Sequence, residues 1–190
     1  MATLRLVEPP TAAGVSLAEA KAHLNVDFGD DDDLIAAYVE AAIERLSYLN
    51  RALRPSRWAL DLDAFVDEII LPQPPLVEVE SVTYLDAAGE SQTLSTSVYE
   101  VKTDCLGQGV LRLMSGQGWP SLSNAREPVT ISFAAGYVTL PGPLRAAVLL
   151  TVGALYDHRA EVSGAQVFAL PFGVDALVST YRIWTPSPDL

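Results

Sequence analysis

The stretch VDFGDDDDLIAAYVEAAIERL, residues 26–46, sets four aspartates in a row, Asp30, Asp31, Asp32 and Asp33, directly ahead of an apolar pattern. Adjacent carboxylates can hold a cation, do acid–base chemistry or begin a helix. A calcium loop needs liganding oxygens at alternate positions and a more distant glutamate, and this run has neither. Beyond it, Leu34, Ile35, Tyr38, Val39, Ala42, Ile43, Leu46, Leu49 and Leu53 recur at three- and four-residue spacing. That is the stripe of an amphipathic helix, expected to end near Arg54, before Pro55. The aspartates then form an acidic cluster at the helix N-cap and first turn, where free N–H groups and the positive end of the macrodipole favour negative charge.

Upstream, after an extended N-terminal strand or arm, VSLAEAKAHLNV (residues 15–26) predicts a short helix capped by Ser16, with Glu19 as its capping-box partner. Downstream the texture changes at Trp58. PQPPL punctuates at residues 72–76, and Val77, Val79, Val82 and Tyr84 suggest a strand before a turn at Ala88 and Gly89. Further strands are expected over residues 97–102, 109–114 and 128–133. The two GQG tripeptides flank one of them and read as turns: no helix start follows either, as a phosphate loop would require. Helix returns at LPGPLRAAVLLTVGALYDHRAEV, with Pro141 and Pro143 at its start. Leu144, Ala147, Val148, Thr151, Leu155 and His158 share one broad face. Because this helix is apolar on most sides, it should be central or lie between subunits. A loop with Phe168, Leu170 and Phe172, a last short helix over residues 173–184, and the tail TPSPDL complete the chain.

The expected fold class is therefore α+β, mainly helical, with two N-terminal and two C-terminal helices around an inserted small antiparallel β module. The boundaries are 1–57 for the arm and first helices, 58–140 for the insertion, 141–184 for the closing helices and 185–190 for an extended tail.

Composition narrows the function. Of the 190 residues, 49% are hydrophobic, more than one modest core obviously needs, so part of the surplus is expected to be buried against other subunits. The longest apolar stretch, residues 146–156, falls short of the roughly 20 residues that cross a bilayer, so no membrane partner is expected. The N-terminus shows neither a signal-peptide apolar region nor a lipidation pattern. The single Cys105 suits a reducing cytoplasm. A formal net charge of −12, with arginines scattered apart from the loose group Arg51, Arg54 and Arg57, argues against tight nucleic-acid binding. DNA sliding past an acidic surface is compatible with it.

A search for catalytic chemistry returns nothing. His23 stands one turn after Glu19; Asp157, His158 and Glu161 read as a surface turn at a helix C-terminus. There is no G-x-S-x-G elbow, and Cys105 has no histidine near it in sequence. No catalytic, cofactor or metal residue is assigned, and the chain is not expected to be an enzyme. Partner chemistry is richer. Phe168, Leu170 and Phe172 lie in a loop, and Tyr181, Arg182 and Trp184 are residue types that dominate protein–protein hot spots. Two readings stand side by side: these side chains cap the subunit's own core, or they are offered to a neighbour beside a proline-rich docking tail.

Residues 15–46 resemble the opening of phage head–tail connector (adaptor) proteins, in which a short helix leads through an acidic turn into a long Ala-rich one. LPGPLRAAVLLTVGALYDHR resembles the family's third helix. LPFGVDALVSTYRIW resembles its closing segment, a Gly-initiated helix ending in a Tyr-Arg pair, here Tyr181 and Arg182. The β portion looks like the insertion of longer members, including those of gene transfer agents. The resemblance implies a structural virion protein of the neck, made in the host cytoplasm. It would form a ring of about twelve copies docked on the portal protein, extend the DNA channel without reading sequence, and seat a stopper or tail-completion protein. Residues 181–190 would make the portal contact. Two other classes stay open at this point: a small α+β hydrolase whose acids or His158 converge only in the fold, and a monomeric β-rich binding module.

Overall fold

The computed structural model describes residues 2–158 and 172–183, the side chain of Phe172 excepted. The chain divides into two compact units, one of residues Met1–Thr11 and Pro55–Gly136, the other of Ala12–Arg54 and Tyr137–Leu190.

The first unit is all β. Its strands are β1 (Ala2–Glu8), β2 (Ser56–Leu62), β3 (Glu68–Leu71), β4 (Leu76–Leu85), β5 (Ser91–Thr93), β6 (Tyr99–Thr103), β7 (Gly109–Leu113) and β8 (Val129–Ala135). They form a five-stranded sheet in the order β1-β2-β8-β4-β5 and a three-stranded sheet in the order β3-β7-β6, with every pairing antiparallel. Strand β8 shows why the sequence folds this way. Val129, Ile131, Phe133 and Ala135 are buried while Thr130, Ser132 and Ala134 are half-buried, the period-two signature of a sheet with one core face. Phe133 lies opposite Trp58 on β2 and Val79 on β4, and Ile131 lies opposite Leu60 and Val82. The valines of β4 are not evenly spaced, and a bulge between Val79 and Ser81 absorbs the extra residue, returning Val82 to the buried face. Ile69 and Leu71 of β3, Tyr99 of β6 and Leu111 of β7 give the smaller sheet a buried face of its own.

Both GQG tripeptides lie at turns. Between β6 and β7, Asp104 Oδ1 accepts the N–H groups of Leu106 and Gln108, both at 2.8 Å. Gly107 there has φ +79°, and an added Cβ would come within 3.0 Å of the Pro75 Cβ, so only glycine fits without strain.

The edge strand β1 is fastened by a polar clasp. Arg5 donates to Asp61 through Nε (2.5 Å) and Nη2 (3.1 Å), and Thr130 Oγ1 donates to the same carboxylate at 2.7 Å. The Arg5 hydrogen bond, helped by that of Thr130 and opposed by burial, holds the Asp61 carboxyl below the usual carboxylate range. A depressed folded-state pKa means that this contribution is present above the unfolded value, about 4, and is lost as pH falls through the folded one. Asp61→Asn is therefore expected to cost about 1 kcal/mol at pH 7, kept modest because Arg5 is half exposed and screened. The gap to wild type should close in acid. Urea denaturation at pH 7 and pH 3 reads this directly, and a gap that widens in acid contradicts the assignment.

The second unit is helical: α1 (Leu17–Leu24), α2 (Asp32–Arg45), α3 (Gly142–Asp157) and α4 (Phe172–Val178), with 3₁₀ turns at Leu46–Leu49 and Ser179–Tyr181. Ser16 caps α1, its Oγ accepting the Glu19 N–H at 3.3 Å. Ile35, Val39, Ala42, Ile43, Leu46 and Leu49 pack with Leu144, Ala147, Val148 and Val152 of α3 and with Val174 and Val178 of α4. Thr151 sits in this core with its hydroxyl donated to the Ala147 carbonyl at 2.8 Å.

The expectation of a mainly helical chain with a small β insertion is overturned. Among the described residues helix and strand contribute equally, and eight antiparallel strands stand against four helices. The β portion is large because residues 2–8 leave the helical part and pair with β2, and because it carries its own buried set around Phe133 and Leu111. Helix α2 is also shorter than its apolar stripe. It passes into a 3₁₀ turn and stops where Asn50 adopts φ +54°, yet Leu53 stays buried because the chain turns back on the core. The last helix ends by Tyr181, with Arg182 extended.

Candidate docking surface at the C-terminal segment

The turn at residues 46–51 receives the closing segment. Ile183, buried, donates its N–H to the Leu49 carbonyl at 3.0 Å, and Asn50 Nδ2 donates to the Ile183 carbonyl at 3.0 Å. Arg51 is only 6% exposed. Its Nε donates to the Tyr181 carbonyl, its Nη1 donates to the Tyr137 hydroxyl at 3.0 Å, and its guanidinium lies 5.9 Å from the Tyr181 ring centroid. On the outer side Tyr48 donates its hydroxyl to Asp175 Oδ1 at 3.2 Å, and the exposed Arg182 lies 5.7 Å over the Tyr48 ring. Burial, then the Asp175 charge, pushes the Tyr48 phenol above its ordinary range.

Of the six partner-facing candidates, Tyr181 is half-buried in this arrangement and Arg182 is exposed beside it. Phe172 opens α4. Phe168, Leu170, Trp184 and the tail lie outside the described residues. Sequence reasoning missed Tyr48, Asn50, Arg51 and Tyr137. The available signal was an arginine set among apolar positions, Leu49, Ala52 and Leu53, where a long cation needs acceptors from elsewhere in the chain.

The aspartates do something else. Asp31 stands at the N-cap of α2, but its carboxylate accepts the Tyr156 hydroxyl of α3 at 2.7 Å rather than an N–H of its own helix. Lys21 of α1 donates to Asp32 at 2.5 Å and to the Phe28 carbonyl at 2.7 Å. Asp32 and Asp33 fall in the first turn, and Asp30 and Asp33 are exposed. The run thus ties the start of α2 to α1 and α3.

The loose arginine group is dispersed by role: Arg51 inside, Arg54 on Glu40 at 2.8 Å, and Arg57 on Glu8 and Glu80, each at 2.7 Å. Asp157, His158 and His23 are exposed, as is Cys105. Among the described residues no three His, Cys, Asp or Glu side chains are grouped to hold a metal ion. Trp119 stacks on Phe65, ring centroids 4.5 Å apart, and Phe65 meets Tyr84 edge-on at 6.1 Å, an aromatic cluster inside the β unit.

Residues 15–87 match the family of phage gp6-like head–tail connector proteins, in line with the resemblance read in the sequence. Three similar solved chains come from gene transfer agent particles. One is in the virion of the native particle (TM-score 0.77), one in the neck of the native particle computed with C12 symmetry (0.75), and one in the neck of the empty particle computed with C6 symmetry (0.74). Each is 25% identical, and the alignments cover 98% of this chain and 98% of the other. No curated protein sequence matches the chain.

Proposed function

We propose that the chain is a structural subunit of a ring-shaped head–tail connector in the neck of a tailed phage or gene transfer agent. The ring, about twelve identical copies, docks on the portal, continues the DNA channel and seats the next neck or tail protein. The observation that carries the reading is the end-to-end similarity to chains of gene transfer agent necks, which spans both units rather than one. The family and these neighbours are structural virion proteins, which argues against catalysis.

Physical features support the finer points. Leu6, Val7, Ile70, Val77 and Val138 are large apolar side chains at least 48% exposed, material for contacts between copies. The net charge of −12 gives a ring that repels phosphate, so DNA can pass without sticking. Tyr181, Arg182 and the residues after them are the portal contact in this reading. Electron microscopy of purified particles tests it. Density for this chain should appear as a ring beneath the portal, and a chain absent from the neck, or one that stays single beside portal rings, refutes it.

A further inference from the structure

We propose that Arg51, seconded by Asn50, is a positioning residue that fixes the register of the C-terminal segment and so sets the point from which residues 184–190 reach a partner. This rests on the reading of those last residues as the portal contact.

Hydrophobic burial already holds the segment. Val174, Val178 and Ile183 are each at most 6% exposed. Burial alone is non-directional and does not distinguish the native seating from one slid along the groove. A guanidinium is different. Taken out of water it costs several kcal/mol unless its donors meet acceptors in the right places. Here two of those acceptors come from chain segments far apart in sequence: the main-chain carbonyl of Tyr181 and the hydroxyl of Tyr137. A slip by one residue would take the Tyr181 carbonyl from Nε and leave a buried cation short of a partner. The same slip would part Ile183 from both the Leu49 carbonyl and the Asn50 amide. Three groups, the Arg51 Nε, the Leu49 carbonyl and the Asn50 amide, thus accept one register only. The extended backbone of Arg182 and the anchored Ile183 then give residue 184 a fixed origin on the helical unit. A buried polar group retained for specificity rather than for stability accounts for an arginine at a position where leucine or methionine would pack.

The test uses the full-length chain, purified portal rings and three variants. Arg51→Met removes the buried donors. Asn50→Gly removes one side-chain bond while keeping a residue that tolerates φ +54°. A chain ending at Ile183 removes the reaching residues. For Arg51→Met and Asn50→Gly, hydrogen exchange at the Ile183 amide should quicken by about tenfold or more. Cosedimentation with portal should weaken by roughly tenfold below the unfolding transition. A purely structural arginine would lower the melting point without moving docking at low temperature. Ile183 protection equal to wild type in both variants overturns the inference. So does protection lost with docking unchanged while the shortened chain no longer docks. If Arg51→Met does not fold, Asn50→Gly decides by the same two readouts. Should the shortened chain dock as well as wild type, the portal reading is what fails, and Ile183 exchange alone judges the register claim.

Discussion

Phe133→Ala should lower the stability of the β unit by about 3–5 kcal/mol, a large part of the 5–15 kcal/mol that folded domains possess. Phe133 is fully buried in β8, the central strand of the five-stranded sheet, and it faces Trp58 across one ladder and Val79 across the other. Truncation removes the ring's transfer free energy and leaves a void that antiparallel neighbours on both sides cannot close without breaking hydrogen bonds. Ser132→Ala, one residue away on the half-buried face, should stay within about 0.5 kcal/mol. Trp58 and Trp119 lie in this unit, so urea denaturation followed by tryptophan emission reports on it. The Phe133→Ala midpoint should fall with little change in the slope, and equal costs at positions 132 and 133 would deny the assigned faces.

Those faces were legible in part. Strand β8 alternates cleanly and could be read from seven letters. Strand β4 was found, but its phase slips at the bulge after Val79, which follows from pairing with Ser132 and Ile131, some fifty residues further on. The same limit hid the balance of the fold. Nothing local in ATLRLVE says that it pairs with residues 57–62, and without that pairing the β part looks like a small insertion. Helix starts were readable because caps are local: Ser16, the aspartates and the prolines all stand at helix openings. The end of α2 was not, since a 3₁₀ turn and a left-handed Asn50 preserve the apolar spacing that suggests more helix. Arg51 illustrates the deepest limit. Its partners are 86 and 130 residues away, so its role exists only in the folded chain.

Deleting residues 184–190 should leave the fold intact and weaken docking on the portal by roughly a hundredfold or more. The fold is expected to survive because Ile183, the last buried residue among those described, remains with its bonds to Leu49 and Asn50. Docking falls because the deleted stretch holds Trp184, of a residue type that in interface hot spots is worth about 2–4 kcal/mol. A span of that energy corresponds to about 30- to 1,000-fold in affinity. Trp184→Ala separates the two readings of the aromatic residues. If the indole is offered to a neighbour, the variant melts as wild type does and loses most of the docking. If it caps the subunit's own core, the isolated chain is destabilised and docking below the transition is unchanged. Melting curves and cosedimentation with portal rings, run on the same preparations, distinguish these outcomes. A shortened chain that still docks at wild-type strength would refute the assignment of residues 184–190 to the proposed portal contact.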